Sequence, residues 1–86
     1  MPNKNYVRGR NKEYRICKEL RDAGYTIVQR TAGSHSPFDV IAVHKENRSI
    51  LFVQAKPDTY TRNQVDKILR EMEWLDGEFN VEFDVE

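Results

Sequence analysis

Two apolar, β-branched runs separated by four polar residues constrain this chain more than any other feature. FDVIAVH (38–44) and SILFVQAK (49–56) flank KENR, a pattern that specifies an antiparallel hairpin closed by a polar turn. With the turn centred on Glu46–Asn47, paired residue numbers sum to 93, and Asp39 falls opposite Gln54. Lys56, two residues beyond Gln54, points to the same face. A shift of one residue would break that juxtaposition.

The rest of the chain is arranged around this hairpin. Residues 9–24 read as a helix, with Ile16, Cys17, Leu20 and Ala23 at 3–4 spacing and Gly24 as its stop. TIVQR (26–30) reads as a short strand, followed by the loop AGSHSP (32–37). After Pro57, Thr61 is placed to cap a second helix running to about residue 76, striped by Val65, Ile68, Leu69, Met72 and Leu75 and stopped by Gly77. FNVEFDVE (79–86) alternates strictly, which predicts a last strand with Phe79, Val81, Phe83 and Val85 on one face. The expected order is α-β-β-β-α-β within one α/β domain spanning 1–86.

Composition narrows the class. Hydrophobic residues make up 38% and charged residues 33% of the 86, as expected of a soluble globular domain that buries about 60–65% of its extended-chain surface. No stretch has the length of a membrane span, MPNKNYVRGR lacks the apolar core of a signal peptide, and the lone Cys17 excludes an internal disulfide. A cytoplasmic location is the expectation. Net charge is zero but unevenly spread: residues 1–30 hold eight Lys/Arg against three acids, whereas residues 71–86 hold seven acids and no base. The asymmetry fits a polyanion facing the first half, and equally a solvated helix face with an acidic tail.

Glu13 falls within the arc of Ile16, Cys17 and Leu20 on the first helix. A carboxylate there needs either a partner or a route to water at the stripe edge. Together with Asp39, the Gln54 amide and Lys56, it offers hard oxygen ligands suited to Mg²⁺ or Mn²⁺ rather than zinc. An ion so held can neutralise a phosphodiester and acidify a bound water, with the lysine positioning that water or stabilising developing charge. A buried Asp39–Lys56 ion pair of purely structural role accounts for the same residues.

RGxxxE (8–13), RTAGSHSPFDVIA (30–42) and FVQAK (52–56), taken in that order, resemble the PD-(D/E)XK nuclease superfamily, and within it the archaeal Holliday junction resolvases. The likeness covers residues 8–56 in motif and the remainder in layout. It implies a restriction-endonuclease-like core, a central mixed sheet flanked by helices. It also implies a Mg²⁺-dependent endodeoxyribonuclease acting on branched DNA in recombination and repair, as a homodimer. By resemblance Asp39, Glu13 and Gln54 are the metal site, Lys56 the catalytic lysine, and Ser34 a serine supporting cleavage. Arg8, Arg10 and Arg30 resemble the basic residues along the DNA path; Lys12 belongs to the same basic helix, and His35 in the loop before Asp39 either contacts a phosphate or faces solvent. Two positions depart from the pattern: Phe38 separates Pro37 from Asp39, and Gln54 stands where resolvases carry glutamate, as in some Mrr-type restriction nucleases. The lost negative charge predicts weaker metal affinity and a tilt toward Mn²⁺. It also keeps open a non-catalytic nuclease-fold module that binds DNA structure.

Other residues carry less. His44 lacks partners at metal-ligand spacing, Cys17 suits core packing, and Tyr60–Arg62 at a helix start are explained by capping. Trp74 points away from the stripe of its helix, which suggests a surface for self-association.

Overall fold

The computed structural model describes residues 4–31 and 36–86, the side chains of residues 4–8 excepted. Helix α1 spans Lys4–Asp22, strands β1, β2 and β3 span Ile27–Arg30, Val40–His44 and Ser49–Val53, and helix α2 spans Arg62–Met72, followed by a 3₁₀ turn over Glu73–Leu75. The fold is mixed α/β.

Helix α1 begins five residues earlier than the apolar spacing predicts, so Gly9 lies inside it rather than at its start. Its end follows the sequence signal. Gly24 adopts a left-handed φ of 100°. The Gly24 N–H donates to the Arg21 carbonyl at 3.0 Å and the Tyr25 N–H to the Leu20 carbonyl at 3.1 Å. This is the Schellman arrangement, and Leu20 and Tyr25 both pack at the edge of the core beside it.

The three strands form one antiparallel sheet in the order β1-β2-β3. The hairpin register is the expected one, with Val40 opposite Val53 and His44 opposite Ser49. Alternation along β2 buries Val40 and Ala42 completely, both at 0% exposure, and leaves Ile41 and Val43 half-buried. Helix α1 packs across β1 and β2. Cys17, Val28, Val40 and Ala42 make the buried core, with Ile16, Leu20, Tyr25 and Val53 against it.

The second half departs from expectation. Helix α2 starts where Thr61 predicted, through a complete capping box: the Thr61 hydroxyl accepts the Gln64 N–H at 3.2 Å and Gln64 Oε1 accepts the Thr61 N–H at 2.7 Å. No residue of α2 is fully buried; Val65, Ile68 and Met72 are half-buried, on the side that faces Ile16, Phe38 and Phe52 across a hollow. A helix with so little packing depends on its cap. Thr61→Ala should therefore lower its stability by about 1 kcal/mol, read as faster amide exchange across Arg62–Met72, and unchanged exchange there would refute the cap's importance.

The predicted last strand does not form. Residues 79–86 carry no strand assignment, and Phe83 is 91% exposed. The sheet is therefore antiparallel with three strands instead of mixed with four. Period-two patterning makes a strand only where an edge accepts its backbone groups, and this segment pairs with none. No helix among the described residues is long and apolar enough to cross a membrane.

Candidate functional site

Backbone bonds on both sides fix Asp39 at the mouth of the hairpin. Its carbonyl accepts the Thr31 N–H at 3.0 Å, which carries on the β1–β2 register, and its own N–H donates to the Val53 carbonyl at 2.7 Å. That second bond falls one residue short of the β2–β3 register, under which Asp39 would face Gln54. The ladder ends at Val40–Val53, and β3 stops there rather than running to Lys56.

The Asp39 side chain completes this end. Its Oδ2 accepts the Ala55 N–H at 2.7 Å, so the carboxylate sits against the backbone between Gln54 and Lys56. Asp39 and Lys56 are half-buried and Gln54 is exposed. The Lys56 ammonium lies 5.8 Å from the Tyr60 ring centroid, at the outer reach of a cation–π contact. Among the described residues no carboxylate pairs with it. The structural Asp39–Lys56 ion pair is therefore not formed.

Glu13 has the partner that its place on α1 demands. Arg30 Nε donates to Glu13 Oε1 at 3.1 Å, and the Arg30 guanidinium carbon lies 4.5 Å from the Tyr14 ring centroid. Strand register explains the meeting: Arg30 stands across from Val40, on the sheet face that α1 covers. The hydrogen bond to Glu13 holds the Arg30 guanidinium above its ordinary pKa. Arg30, assigned to the DNA path by resemblance, is thus engaged within the fold.

Lys12 is likewise engaged. Its Nζ donates to the Lys56 carbonyl and, at 2.8 Å, to Asp58 Oδ1, which ties α1 to the segment after β3. This bond holds the exposed Asp58 carboxyl below the usual carboxylate range. Sequence periodicity carries no sign of this pair, because its residues lie 46 positions apart on elements of different type. Arg10 is half-buried on α1. Ser34 and His35, and the side chain of Arg8, lie outside the described residues.

Beside the hairpin mouth is a hollow of about 420 Å³, with Lys12, Gln54, Lys56 and Tyr60 among its lining residues and Phe38, Phe52 and the α2 stripe as its apolar wall. The Phe38 and Phe52 rings meet at 4.6 Å. The arrangement therefore brings together Asp39, Gln54 and Lys56 along one short stretch of backbone, with Lys12 bound to that stretch, and gives Glu13 to Arg30. No three His, Cys, Asp or Glu side chains cluster for a metal among the described residues. Among known protein families, curated proteins and solved structures, none matches this chain.

Proposed function

We propose that this chain is a metal-dependent DNA endonuclease that hydrolyses phosphodiester bonds, with a preference for branched DNA such as a four-way junction. The observation that carries the proposal is the Asp39 carboxylate, held against the Ala55 N–H between Gln54 and Lys56 beside an open hollow. A lysine with no carboxylate partner among the described residues, next to a carboxylate anchored by backbone, suits a phosphate diester.

The donor set would suit a hard divalent ion of the sparse kind. Mg²⁺ is commonly held by one or two carboxylates, with waters and substrate phosphates completing its shell. Asp39 and the Gln54 carbonyl oxygen would hold the ion, with Glu13 contributing once a substrate phosphate competes for Arg30. Such an ion supplies an acidified water and charge neutralisation at the phosphate. Lys56 would orient the attacking water or stabilise charge building on the phosphate oxygens. Arg8, Arg10, Lys12 and the residues flanking Ser34–His35 would meet the DNA backbone. Affinity would then fall as salt rises, with DNA shape setting selectivity.

A second reading, a nuclease-fold module that binds branched DNA without cutting it, draws on the Glu13–Arg30 pair and the missing charge at Gln54. The deciding experiment incubates the protein with labelled four-way junction and linear duplex in Mg²⁺ or Mn²⁺. Paired metal-dependent nicks in the junction support the enzyme; binding without nicks in either metal supports the module; neither binding nor cutting sinks both. Gln54→Glu restores the charge and is expected to lower the metal concentration for half-maximal cleavage about tenfold or more, since affinity for hard cations follows ligand charge. An unchanged metal requirement would show that residue 54 is not a ligand.

A further inference from the structure

The hollow beside the hairpin mouth has two apolar sides that stand apart. Phe38 and Phe52 of the hairpin line one, and the half-buried Val65, Ile68 and Met72 of α2 line the other. Polar groups also line it: the Gln54 amide, the Lys56 ammonium and the Tyr60 ring. Lys12, which lines it too, is bound to Asp58 at 2.8 Å, whereas Lys56 has no carboxylate partner among the described residues. An incoming anion therefore meets Lys56. At about 420 Å³ the space falls within the range of small-ligand sites, about 300–1,000 Å³. It admits a single ring system and excludes a helix or a duplex.

We propose that the hollow receives one unstacked nucleobase of a DNA strand, with the adjoining phosphate on Lys56. The inference rests on the DNA reading given above and adds to it a source of selectivity for branched DNA. The Phe38 and Phe52 rings, 4.6 Å apart and tilted by 46°, give an aromatic wall on which a base can stack. The Gln54 NH₂ group, left over when its carbonyl oxygen faces an ion, offers a donor to the base edge. An alkyl chain would match the wall but leave that donor unused. Charge agrees as well, since a nucleotide brings one phosphate to the one lysine without a carboxylate.

A pocket for one base converts DNA shape into affinity without reading sequence. In a plain duplex, extruding a base sacrifices its stacking and its pairing. At a branch an unpaired base has no pairing to lose, and the cost of extruding it is least there. The preference for branched DNA would then come from the ease of filling the hollow.

The test is run in EDTA, so that nothing is cut and cleavage does not enter the readout. Fluorescence anisotropy compares a labelled junction carrying one unpaired adenine at the branch with the same junction carrying an abasic residue there. The two have the same phosphates and differ only in the base. The base should tighten binding roughly 5- to 140-fold, the worth of one base–aromatic stack. Phe52→Ala, which removes half of the aromatic wall, should lose most of that gain while binding the abasic junction as the parent does. Ile68→Trp, which fills the hollow from the α2 side, should do the same. In competition, dAMP should displace the adenine junction at lower concentration than octyl phosphate does. Equal affinity of the parent for the two junctions, or variants that weaken both alike, would overturn the inference and leave the nuclease reading to its own test of metal-dependent nicks. Octyl phosphate as the better competitor would give the hollow to an alkyl anion, and dAMP binding as tightly as the junction would give it to a free nucleotide; either result overturns the inference. Failure to bind both junctions would sink the DNA reading and this inference with it.

Discussion

Asp39→Asn is expected to eliminate metal-dependent cleavage of branched DNA while leaving the fold and DNA affinity nearly unchanged. The substitution separates two roles that this side chain combines. As an acceptor, Asp39 takes the Ala55 N–H and closes the end of the hairpin. An asparagine carbonyl oxygen accepts the same bond, so far-UV circular dichroism and the thermal midpoint should hold. As an anion, Asp39 is, among the described residues, the one carboxylate at the proposed site not paired with a cation, because Glu13 is bound to Arg30. Removing that charge should cost several kcal/mol of transition-state stabilisation, about 10²–10⁴-fold in rate at 1.36 kcal/mol per tenfold. The salt dependence of junction binding should persist, since the proposed phosphate contacts belong to other residues. Asp39→Ala would add a stability loss of about 1–3 kcal/mol by leaving the half-buried Ala55 N–H without its acceptor. Cleavage by Asp39→Asn at the parent rate would place the chemistry elsewhere and withdraw the proposal.

How far the sequence foretold this site depends on which physical signal each residue gives. The hairpin was legible because a polar turn between β-branched runs leaves one register, and Val40–Val53 pairs as that register requires. The departure at Asp39 was not, because it arises where the strand ends and its N–H turns to the Val53 carbonyl. For Glu13, a place on the buried face of α1 announced that a partner was needed. The partner's identity required knowing that β1 sets Arg30 beside Val40, which is tertiary information. Lys12–Asp58 left no trace, since neither residue is out of place on its own element. The last strand shows the opposite failure. The alternation of residues 79–86 is unambiguous, but a strand is a relation between two segments, and the sequence of one segment does not name the other. The α2 stripe taught the same lesson: its spacing correctly forecast a helix and its cap, while the helix fully buries none of its residues.

Val40→Ala should cost a larger share of the molecule's stability than its two missing methyl groups suggest. Val40 is wholly buried and belongs to a core that, among the described residues, holds four buried side chains, Cys17, Val28, Val40 and Ala42. Two buried methyl-sized groups are worth about 1.6 kcal/mol by transfer, and the cavity left behind raises the loss to about 2–3 kcal/mol. An 86-residue domain has only about 4–13 kcal/mol in total, so this single truncation removes a large fraction of it. The loss should fall on the site as well as on the fold. Val40 is the residue after Asp39 and the first of β2, where it pairs with both neighbouring strands, opposite Arg30 and Val53. Loosening it frees the backbone that holds the Asp39 carboxylate and the strand position that holds Arg30 to Glu13. Urea unfolding at one fixed protein concentration measures the stability change, since any self-association makes the midpoint concentration-dependent. Amide exchange at Ala55 measures the local one, and it should quicken beyond the global loss as the Asp39 acceptor becomes mobile. Exchange at Ala55 that tracks global unfolding alone would mean that the hairpin mouth is held without Val40.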